Sequence, residues 1–232
     1  MQIRKAMILA AGYGKRMLPL TATVPKPLIK IGPKNLLERS IELLIKIGVK
    51  EIVINIYHLS SEIEKFIEKK NYEVSITCIK ESKLLDTGGG IFNATKQFKD
   101  EPFFVLNPDT IWNKSYYEEL KVLENFYFMT KKSVLLLVDK TKSYDKSFKG
   151  DFNFIDHQII KREKKNNYIF TGAQIINRSI FSEMQDEIFS MNLIWDQLIK
   201  KKTLLAQESN QNFFHLNTLT VFKELKKLKF ID

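Results

Sequence analysis

The sequence predicts an α/β fold in which a largely parallel β-sheet is covered by helices on both faces. One pattern supports this prediction, and two bulk properties are compatible with it. Short apolar runs, which indicate buried strands, alternate with segments whose apolar residues recur at helical spacing. The 232 residues, 44% of them hydrophobic, are enough for one sizeable core. The lone cysteine, Cys78, excludes an internal disulfide framework and a cysteine-rich zinc site.

The first half of the chain has the clearest pattern of elements. Apolar runs predict five strands, at residues 6–11, 51–57, 74–79, 103–107 and 133–138. Between the first two strands, Leu37, Ile41 and Leu44 lie on one helical face and predict a helix over residues 36–47. Residues 60–62 look like the start of a second helix. Residues 88–90 are three glycines, which we expect to precede a short helix over residues 91–98.

The second half is less regular. Residues 139–151 are polar and indicate a loop, and residues 168–176 indicate a strand. Helical spacing predicts three helices, over residues 179–189, 193–202 and 221–229. Neither an internal repeat nor a low-complexity linker interrupts the chain, so we predict one domain over residues 1–232 with a smaller, irregular C-terminal portion.

The net charge of +10, from 37 Lys and Arg against 27 Asp and Glu, admits nucleic acid, a membrane surface or phosphate-rich ligands as partners. Most of the basic residues are lysines scattered over many segments, which favours a compositional origin. No secretory signal is visible, and no apolar run approaches the ~20 residues of a transmembrane helix. We therefore expect a cytoplasmic protein that binds neither nucleic acid nor a membrane.

The most informative segment follows the first strand, where open α/β sheets bind ligands. Small residues and glycines from Leu9 to Gly14 let backbone N–H groups approach phosphate oxygens, and Lys15 and Arg16 add positive charge. A P-loop would need glycine at Leu9 and Ser or Thr at Arg16. A dinucleotide-binding turn would need Gly or Ala at Met17. Both of these phosphate-binding motifs are therefore excluded.

The complete pattern resembles the signature of the sugar-1-phosphate nucleotidyltransferases. The matching residues are Leu9, Ala10, Ala11, Gly12, Gly14, Arg16, Met17, Pro19, Leu20, Thr21, Pro25, Lys26, Pro27 and Leu28. The resemblance implies a three-layer α/β/α sandwich with a Rossmann-like mixed sheet. It also implies a nucleotide-binding half at about residues 1–110 and a sugar-binding half at about residues 111–232.

Residue roles follow from the same resemblance. The nucleotide would be held by Leu9, Ala10, Ala11, Gly12, Tyr13, Gly14 and Lys15. Arg16 would contact the departing pyrophosphate, and Lys26 would lie against the α-phosphate and the sugar phosphate. Gly88 and Gly89 would line the base and ribose, with Glu81 close to the base. On the residues alone, a tight turn is the favoured interpretation of the glycine run.

Asp109 is the candidate metal ligand. An apolar strand that ends in Asn107-Pro108-Asp109 places a carboxylate at the ligand edge of the sheet, and Mg²⁺ prefers one or two carboxylates plus phosphate oxygens. The family has glycine at the position of Pro108. Asn107 is predicted to contact the substrate, and Arg16, Lys26 and Asp109 are the predicted catalytic residues.

The sugar-side residues are predicted to be Gly150, Thr171 and Gly172. Residues 150–152 resemble a Gly-Asp-Phe segment in the branch that uridylylates N-acetylmuramate 1-phosphate, and residues 189–193 fit that branch. The main departure is His215, which stands where the family has a second metal-binding Asp. An imidazole suits Mn²⁺ better than Mg²⁺. We predict Asp109 and His215 as the metal site. The alternatives for His215 are a hydrogen bond to a phosphate, a hydrogen bond to a metal-bound water, or a buried core histidine.

The resemblance implies transfer of a nucleoside monophosphate from a triphosphate, UTP by preference, to a sugar 1-phosphate, with release of pyrophosphate. The favoured acceptor is N-acetylmuramate 1-phosphate, in cell-wall sugar recycling. Mannose-1-phosphate guanylyltransferases, other NDP-sugar enzymes and choline-phosphate cytidylyltransferases are the alternatives within enzymes. A non-catalytic nucleotide-binding paralogue is the alternative from another class.

Overall fold

The computed structural model describes residues 1–228, in which a seven-stranded sheet forms the centre. Its strands are β1 (Lys5–Leu9), β4 (Glu51–Ile56), β5 (Ser75–Lys80), β6 (Pro102–Leu106), β7 (Ser133–Asp139), β10 (Tyr168–Asn177) and β11 (Leu204–Ser209). They lie side by side in the order β11-β7-β10-β6-β1-β4-β5. Two short hairpins lie outside this sheet: β2 (Lys30–Ile31) with β3 (Lys34–Asn35), and β8 (Asn153–Phe154) with β9 (Ile160–Lys161).

The sheet is mixed. β1 pairs in parallel with both β4 and β6, and β4 pairs in parallel with β5. β10 is antiparallel to both of its neighbours, β6 and β7, while β11 is parallel to β7. Four parallel strands, β6, β1, β4 and β5, therefore end at one edge of the sheet, and the loops that follow them are brought together there.

Helices cover both faces of the sheet. The helices are α1 (Leu36–Ile47), α2 (Ser60–Glu68), α3 (Asp86–Ala94), α4 (Tyr116–Thr130), α5 (Met191–Lys200) and α6 (Leu219–Leu225). Alternate residues of one strand enter different cores: Ala6 and Ile8 pack with α1 and α4, whereas Met7 packs with α3 and α5. This period of two is what a strand buried on both faces requires, and it confirms the predicted three-layer α/β/α architecture.

Helix α1 shows how local sequence sets element boundaries. The Asn35 side chain accepts a hydrogen bond from the Glu38 N–H at its start. At its end Gly48 has φ of 100°, a left-handed conformation that favours glycine. The predicted bounds of this helix are confirmed. All five strands predicted in the first half are present within one or two residues.

Several other predictions were wrong. The three glycines lie inside α3, because the helix begins at Asp86 and ends at Ala94, before the predicted end at residue 98. Residues 179–189 form only a 3-10 turn, Arg178–Phe181, followed by irregular chain. Helix α4 and strand β11 were missed because neither has a clear apolar period. The predicted helix over residues 221–229 begins earlier, at Leu219, and ends at Leu225; Lys229 lies outside the described residues.

The irregular segment after Phe181 crosses the first turn of α3. Gly89 N–H donates to the Phe189 carbonyl, and Phe189 N–H donates to the Leu85 carbonyl. A Cβ on Gly88 would lie 2.4 Å from the Phe189 ring, and one on Gly89 would lie 2.1 Å from the Glu187 carbonyl oxygen. These two glycines are therefore required by the close approach of another backbone segment.

No helix among residues 1–228 is long and apolar enough to cross a membrane.

We expect Gly89→Ala to destabilise the protein by about 1–3 kcal/mol, because a backbone carbonyl cannot move aside as a side chain can. Gly12→Ala is the matched control, since a Cβ there meets no atom within 4 Å. Chemical denaturation of both variants measures the difference in the free energy of unfolding. Equal stability of the two variants would contradict the packing role of Gly89.

Candidate active site

A cavity of about 670 Å³ lies at the sheet edge where β1, β4, β5 and β6 end. The loop after β1 forms one wall with Leu9, Ala10, Ala11, Gly12, Gly14, Lys15, Arg16, Met17, Lys26 and Pro27. The remaining wall residues are Leu36, Asn55, Glu81, Leu84, Asp86, Thr87, Asn107, Pro108, Asp109, Ile188 and Asn217. The cavity thus combines backbone of small residues with cations and carboxylates.

The loop after β1 is folded by three consecutive 3-10 turns, Lys15–Met17, Leu20–Ala22 and Lys26–Leu28. Gly14 has φ of 63°, and a Cβ there would lie 2.9 Å from the Thr21 methyl group. The Thr21 hydroxyl donates to the Gly14 carbonyl, and His58 Nε2 lies 2.8 Å from the Thr21 carbonyl oxygen. The glycine therefore lets the loop close on itself, which leaves Lys15 and Arg16 exposed at the cavity wall.

A buried hydrogen-bond chain supports the other side of this loop. Asn55 Oδ1 accepts from the Ala10 N–H at 2.9 Å, and Asn55 Nδ2 donates to Glu81 Oε1 at 2.7 Å. Glu81 Oε2 accepts from the Leu85 N–H at 3.1 Å. A Cβ on Gly90 would lie within 3.0 Å of both Asn55 and Glu81. The chain joins the ends of three strands and holds a buried carboxylate at the cavity wall.

At the centre of the site, Asp109 contacts two basic side chains. Lys26 Nζ lies 2.6 Å from Asp109 Oδ2, and His215 Nε2 lies 3.1 Å from the same oxygen. His215 reaches this position because Thr110 and His215 form an antiparallel bridge. Its ring stacks on Phe213 and meets the edge of Phe148.

The Asp109 carboxyl is ionised at neutral pH. Burial raises its pKa, but His215 and Lys26, which both attract and hydrogen-bond it, outweigh burial and hold the pKa well below its ordinary value of 3.8. The charge of Asp109 therefore keeps the Lys26 ammonium at the cavity wall, where a phosphate would meet it.

The donor set fits a divalent cation held mainly by substrate. Asp109 Oδ1 is buried and has no hydrogen-bond partner within residues 1–228. Over the same residues, no group of three or more His, Cys, Asp or Glu side chains is arranged to hold a metal ion. Mg²⁺ is often bound by one or two carboxylates and completed by substrate phosphates, which is compatible with the buried, unpartnered Oδ1 of Asp109 in this cavity.

The structure brings most of the predicted residues together. Residues 9–12, 14–16 and 26 line the cavity, as do Glu81, Asn107 and Asp109. Tyr13 and His215 do not line it, but each touches a neighbouring part of the site: Tyr13 contacts His58, and His215 contacts Asp109.

The other predicted ligand contacts lie off the cavity wall. Gly88 and Gly89 face the segment around Phe189, and the wall there is formed by Asp86 and Thr87 instead. On the sugar side, Gly150 packs against the Asn166 carbonyl. Gly172, with φ of 93°, packs against Asn107, and the Thr171 hydroxyl donates to the Leu136 carbonyl. These residues shape backbone segments near the site.

Sequence analysis missed Asn55, Leu84, Ile188 and Asn217 as cavity residues. Asn55 lies within an apolar strand, where a polar residue at its C-terminal end was the available signal. Ile188 comes from the segment predicted to be a helix, so its approach to the cavity depends on tertiary packing.

Comparison with known proteins identifies the family. A family model described as nucleotidyl transferase matches residues 5–144, which include the loop after β1 and Asp109. The chain belongs to the nucleotidyl transferase family. The expectation drawn from the motifs is confirmed at this level.

Curated relatives of this nucleotidyl transferase family member include mannose-1-phosphate guanylyltransferases. The catalytic subunit beta from Danio rerio is 29% identical over 230 residues, covering 87% of this chain and 63% of the relative. Mannose-1-phosphate guanyltransferase from Candida albicans is 34% identical over 185 residues, covering 76% of this chain and 50% of the relative. The chain therefore spans between one half and two thirds of the length of these relatives.

Solved structures confirm the predicted fold. A UDP-glucose pyrophosphorylase complexed with UDP-glucose has a TM-score of 0.81 at 17% identity, covering 97% of this chain and 98% of that one. HddC from Yersinia pseudotuberculosis, complexed with GMP-PN, has a TM-score of 0.77 at 22% identity, covering 97% and 99%. At these identities the likeness concerns the fold alone.

We expect Asp109 to make stability depend on pH in acid. Because its pKa in the folded protein lies below the ordinary value of 3.8, its contribution is complete above about pH 4 and is lost as the pH falls toward the folded pKa. Unfolding measurements should find Asp109→Asn less stable than the unsubstituted chain by about 2 kcal/mol at pH 7. The gap should narrow at pH 3; a gap that stays constant would rule out this linkage.

Proposed function

We propose that this chain transfers a nucleoside monophosphate from a nucleoside triphosphate to a sugar 1-phosphate and releases pyrophosphate. The observation that carries the proposal is the Lys26–Asp109 ion pair at a cavity that is also lined by Lys15 and Arg16 of the glycine-containing loop after β1. Such a lining suits a polyphosphate, and family membership supports nucleotidyl transfer as the reaction. A cytoplasmic location, with access to triphosphates, is part of the proposal.

In the proposed reaction, an oxygen of the sugar phosphate attacks the α-phosphorus, a new P–O bond forms, and the bond to the β-phosphate breaks. The attacking phosphate is already ionised at neutral pH, so the protein need not remove a proton from it. The work of the chain is to position both substrates and offset their charge. Lys26 would neutralise the transferring phosphate, and Lys15 and Arg16 the departing pyrophosphate.

A bound Mg²⁺ or Mn²⁺ would add Lewis-acid stabilisation of the phosphates, and Asp109 would hold it. Lys26 and His215 both contact Oδ2 of Asp109 and leave Oδ1 without a partner among the described residues. This division of the two carboxylate oxygens supports a role for Asp109 in both positioning Lys26 and binding the cation.

We propose GTP as the nucleotide and mannose 1-phosphate as the first acceptor to test. Glu81 supports guanine because a carboxylate accepts from two donors on one edge, and guanine presents N1–H and N2–H there. Uracil presents one N–H between two carbonyl oxygens, which a carboxylate repels. Asn55 and the Leu85 N–H occupy one position on each Glu81 oxygen, and a carboxylate has about four acceptor positions. The names of the curated relatives agree with this choice.

UTP with N-acetylmuramate 1-phosphate is the second candidate. It is supported by the resemblance of residues 150–152 and 189–193 to the branch of the family that uridylylates N-acetylmuramate 1-phosphate. Two of the residues behind that resemblance also have packing roles: Gly150 approaches Asn166 closely, and Phe189 fills the space at Gly88. These contacts weaken the substrate argument from the motifs, so the uridylyltransferase hypothesis ranks second.

The first test is pyrophosphate release from GTP, UTP, CTP and dTTP, each with mannose 1-phosphate, N-acetylmuramate 1-phosphate, glucose 1-phosphate and choline phosphate. We expect GTP with mannose 1-phosphate to turn over fastest. Asp109→Ala should lower kcat by at least about a hundredfold, whereas Lys50→Met, on the exposed turn before β4, should not change it. Nucleotide binding without pyrophosphate release from any pair would favour a non-catalytic nucleotide-binding protein.

The second test changes the carboxylate proposed to read the base. Glu81→Gln keeps an oxygen for Asn55 but loses the charge and one acceptor. The kcat/KM for GTP should therefore fall about 10- to 100-fold, the effect of a hydrogen bond to a charged group, while kcat/KM for UTP falls less. Exposed Glu118→Gln is the control. An unchanged GTP-to-UTP ratio in Glu81→Gln would exclude Glu81 from base selection.

A further inference from the structure

The segment paired with Asp109 carries a polar side chain that the proposed function does not use. Asn217 lines the cavity and is only 7% exposed. Its Oδ1 is buried and makes no hydrogen bond to any other residue from 1 to 228. A buried amide oxygen is costly to leave without a partner, so this atom indicates a ligand.

The orientation of the Asn217 amide is determined by its neighbour. Asn217 Nδ2 donates to Asp145 Oδ2 at 2.7 Å. A carboxylate at neutral pH only accepts hydrogen bonds, so reversing the amide would place two oxygens against each other. Asp145 is itself held in place, because its Oδ1 accepts from the Ser147 N–H and its carbonyl accepts from the Ser143 hydroxyl. Asn217 therefore presents its oxygen, an acceptor, as the free end.

A second acceptor without a partner belongs to the same cavity wall. Asp109 Oδ1 is buried and likewise makes no hydrogen bond within the described chain. The two residues lie on paired segments, because the Leu216 N–H, next to Asn217, donates to the Asp109 carbonyl at 2.7 Å. One carboxylate oxygen and one amide oxygen, with no donor assigned to either, form the oxygen set that a hard divalent cation prefers.

His215 is placed differently. Its Nε2 faces the Asp109 oxygen that Lys26 also contacts, and its ring is held against Phe213 and Phe148. A histidine that hydrogen-bonds a ligating carboxylate orients that carboxylate. His215 Nδ1 is also buried without a partner among residues 1–228, so the imidazole is the competing ligand that an experiment must separate from Asn217.

We propose that Asn217 Oδ1 and Asp109 Oδ1 together coordinate the divalent cation, and that His215 positions Asp109 without binding the metal. The inference rests on the proposed function for the phosphate oxygens that complete the coordination. It assigns to Asn217 the oxygen ligand that the replacement of an Asp by His215 removes.

Mn²⁺ is the probe, titrated into the full chain alone and with inorganic pyrophosphate, and followed by electron paramagnetic resonance. Asn217→Leu should weaken Mn²⁺ binding at least about tenfold. His215→Gln, which keeps a donor for Asp109, should change it less than about threefold. Asn210→Leu, at an exposed position off the cavity wall, is the matched control. Melting temperatures establish that each variant is folded.

Pulsed electron paramagnetic resonance of Mn²⁺ bound to the unsubstituted chain gives a test that does not depend on whether the variants fold. We expect no hyperfine coupling from a directly bound histidine nitrogen on Mn²⁺. Such a coupling would overturn the proposal, as would unchanged Mn²⁺ affinity in Asn217→Leu or no Mn²⁺ binding at all. If Asn217→Leu only raises the KM for the sugar phosphate, Asn217 binds a sugar hydroxyl and the proposal is wrong.

Failure of the proposed function has a different signature. If no substrate pair releases pyrophosphate while Mn²⁺ still binds in an Asn217-dependent way, the metal assignment stands without the reaction. If pyrophosphate is released but Asn217→Leu leaves the Mn²⁺ affinity unchanged, the proposed reaction stands and the metal assignment fails.

Discussion

The ion pair between Lys26 and Asp109 is the interaction on which the site depends, because it joins the loop after β1 to the loop after β6. These residues are 83 positions apart in the chain, and the sheet brings them together by pairing β1 with β6 in parallel. Parallel neighbours end at the same edge, so their following loops face each other. Contacts from Lys26 and His215 outweigh the effect of burial and keep Asp109 ionised, and its charge in turn holds the lysine where a phosphate would lie.

The glycines of the motifs serve close packing as much as ligand contact. Gly14 has a left-handed conformation that lets the loop after β1 fold over Thr21. Gly88 and Gly89 make room for the segment around Phe189, and Gly172 makes room for Asn107. A glycine-rich motif in this fold therefore shapes the cavity indirectly, by permitting the backbone approaches that bring polar side chains to its wall.

Whether an element could be predicted from the sequence depends on whether the interactions that form it are local in the chain or join distant segments. Helix α1 has a local apolar period and local caps, so its bounds could be predicted. Strands such as β1 are short runs buried on both faces and were also found. Helix α4 has a weak apolar period, and the chain after Phe181 is determined by what it crosses, so neither could be predicted from local spacing. The same distinction separates Lys26 and Asp109, found within motifs, from Asn55, which lies outside them, and from Asn217, which lies in the segment that departs from the family pattern.

The sequence by itself determined the α/β class, the parallel strands of the first half and the glycine-containing loop after β1, since these depend on residue spacing and on the small residues of one segment. Only the tertiary structure decided which side chains share the cavity. In the folded chain, His215 contacts the same Asp109 oxygen as Lys26, and the Asn217 amide donates a hydrogen bond to Asp145. Those outcomes depend on the antiparallel pairing of residues 109–111 with 214–216. That pairing joins segments about a hundred positions apart, and no local pattern in either segment specifies it.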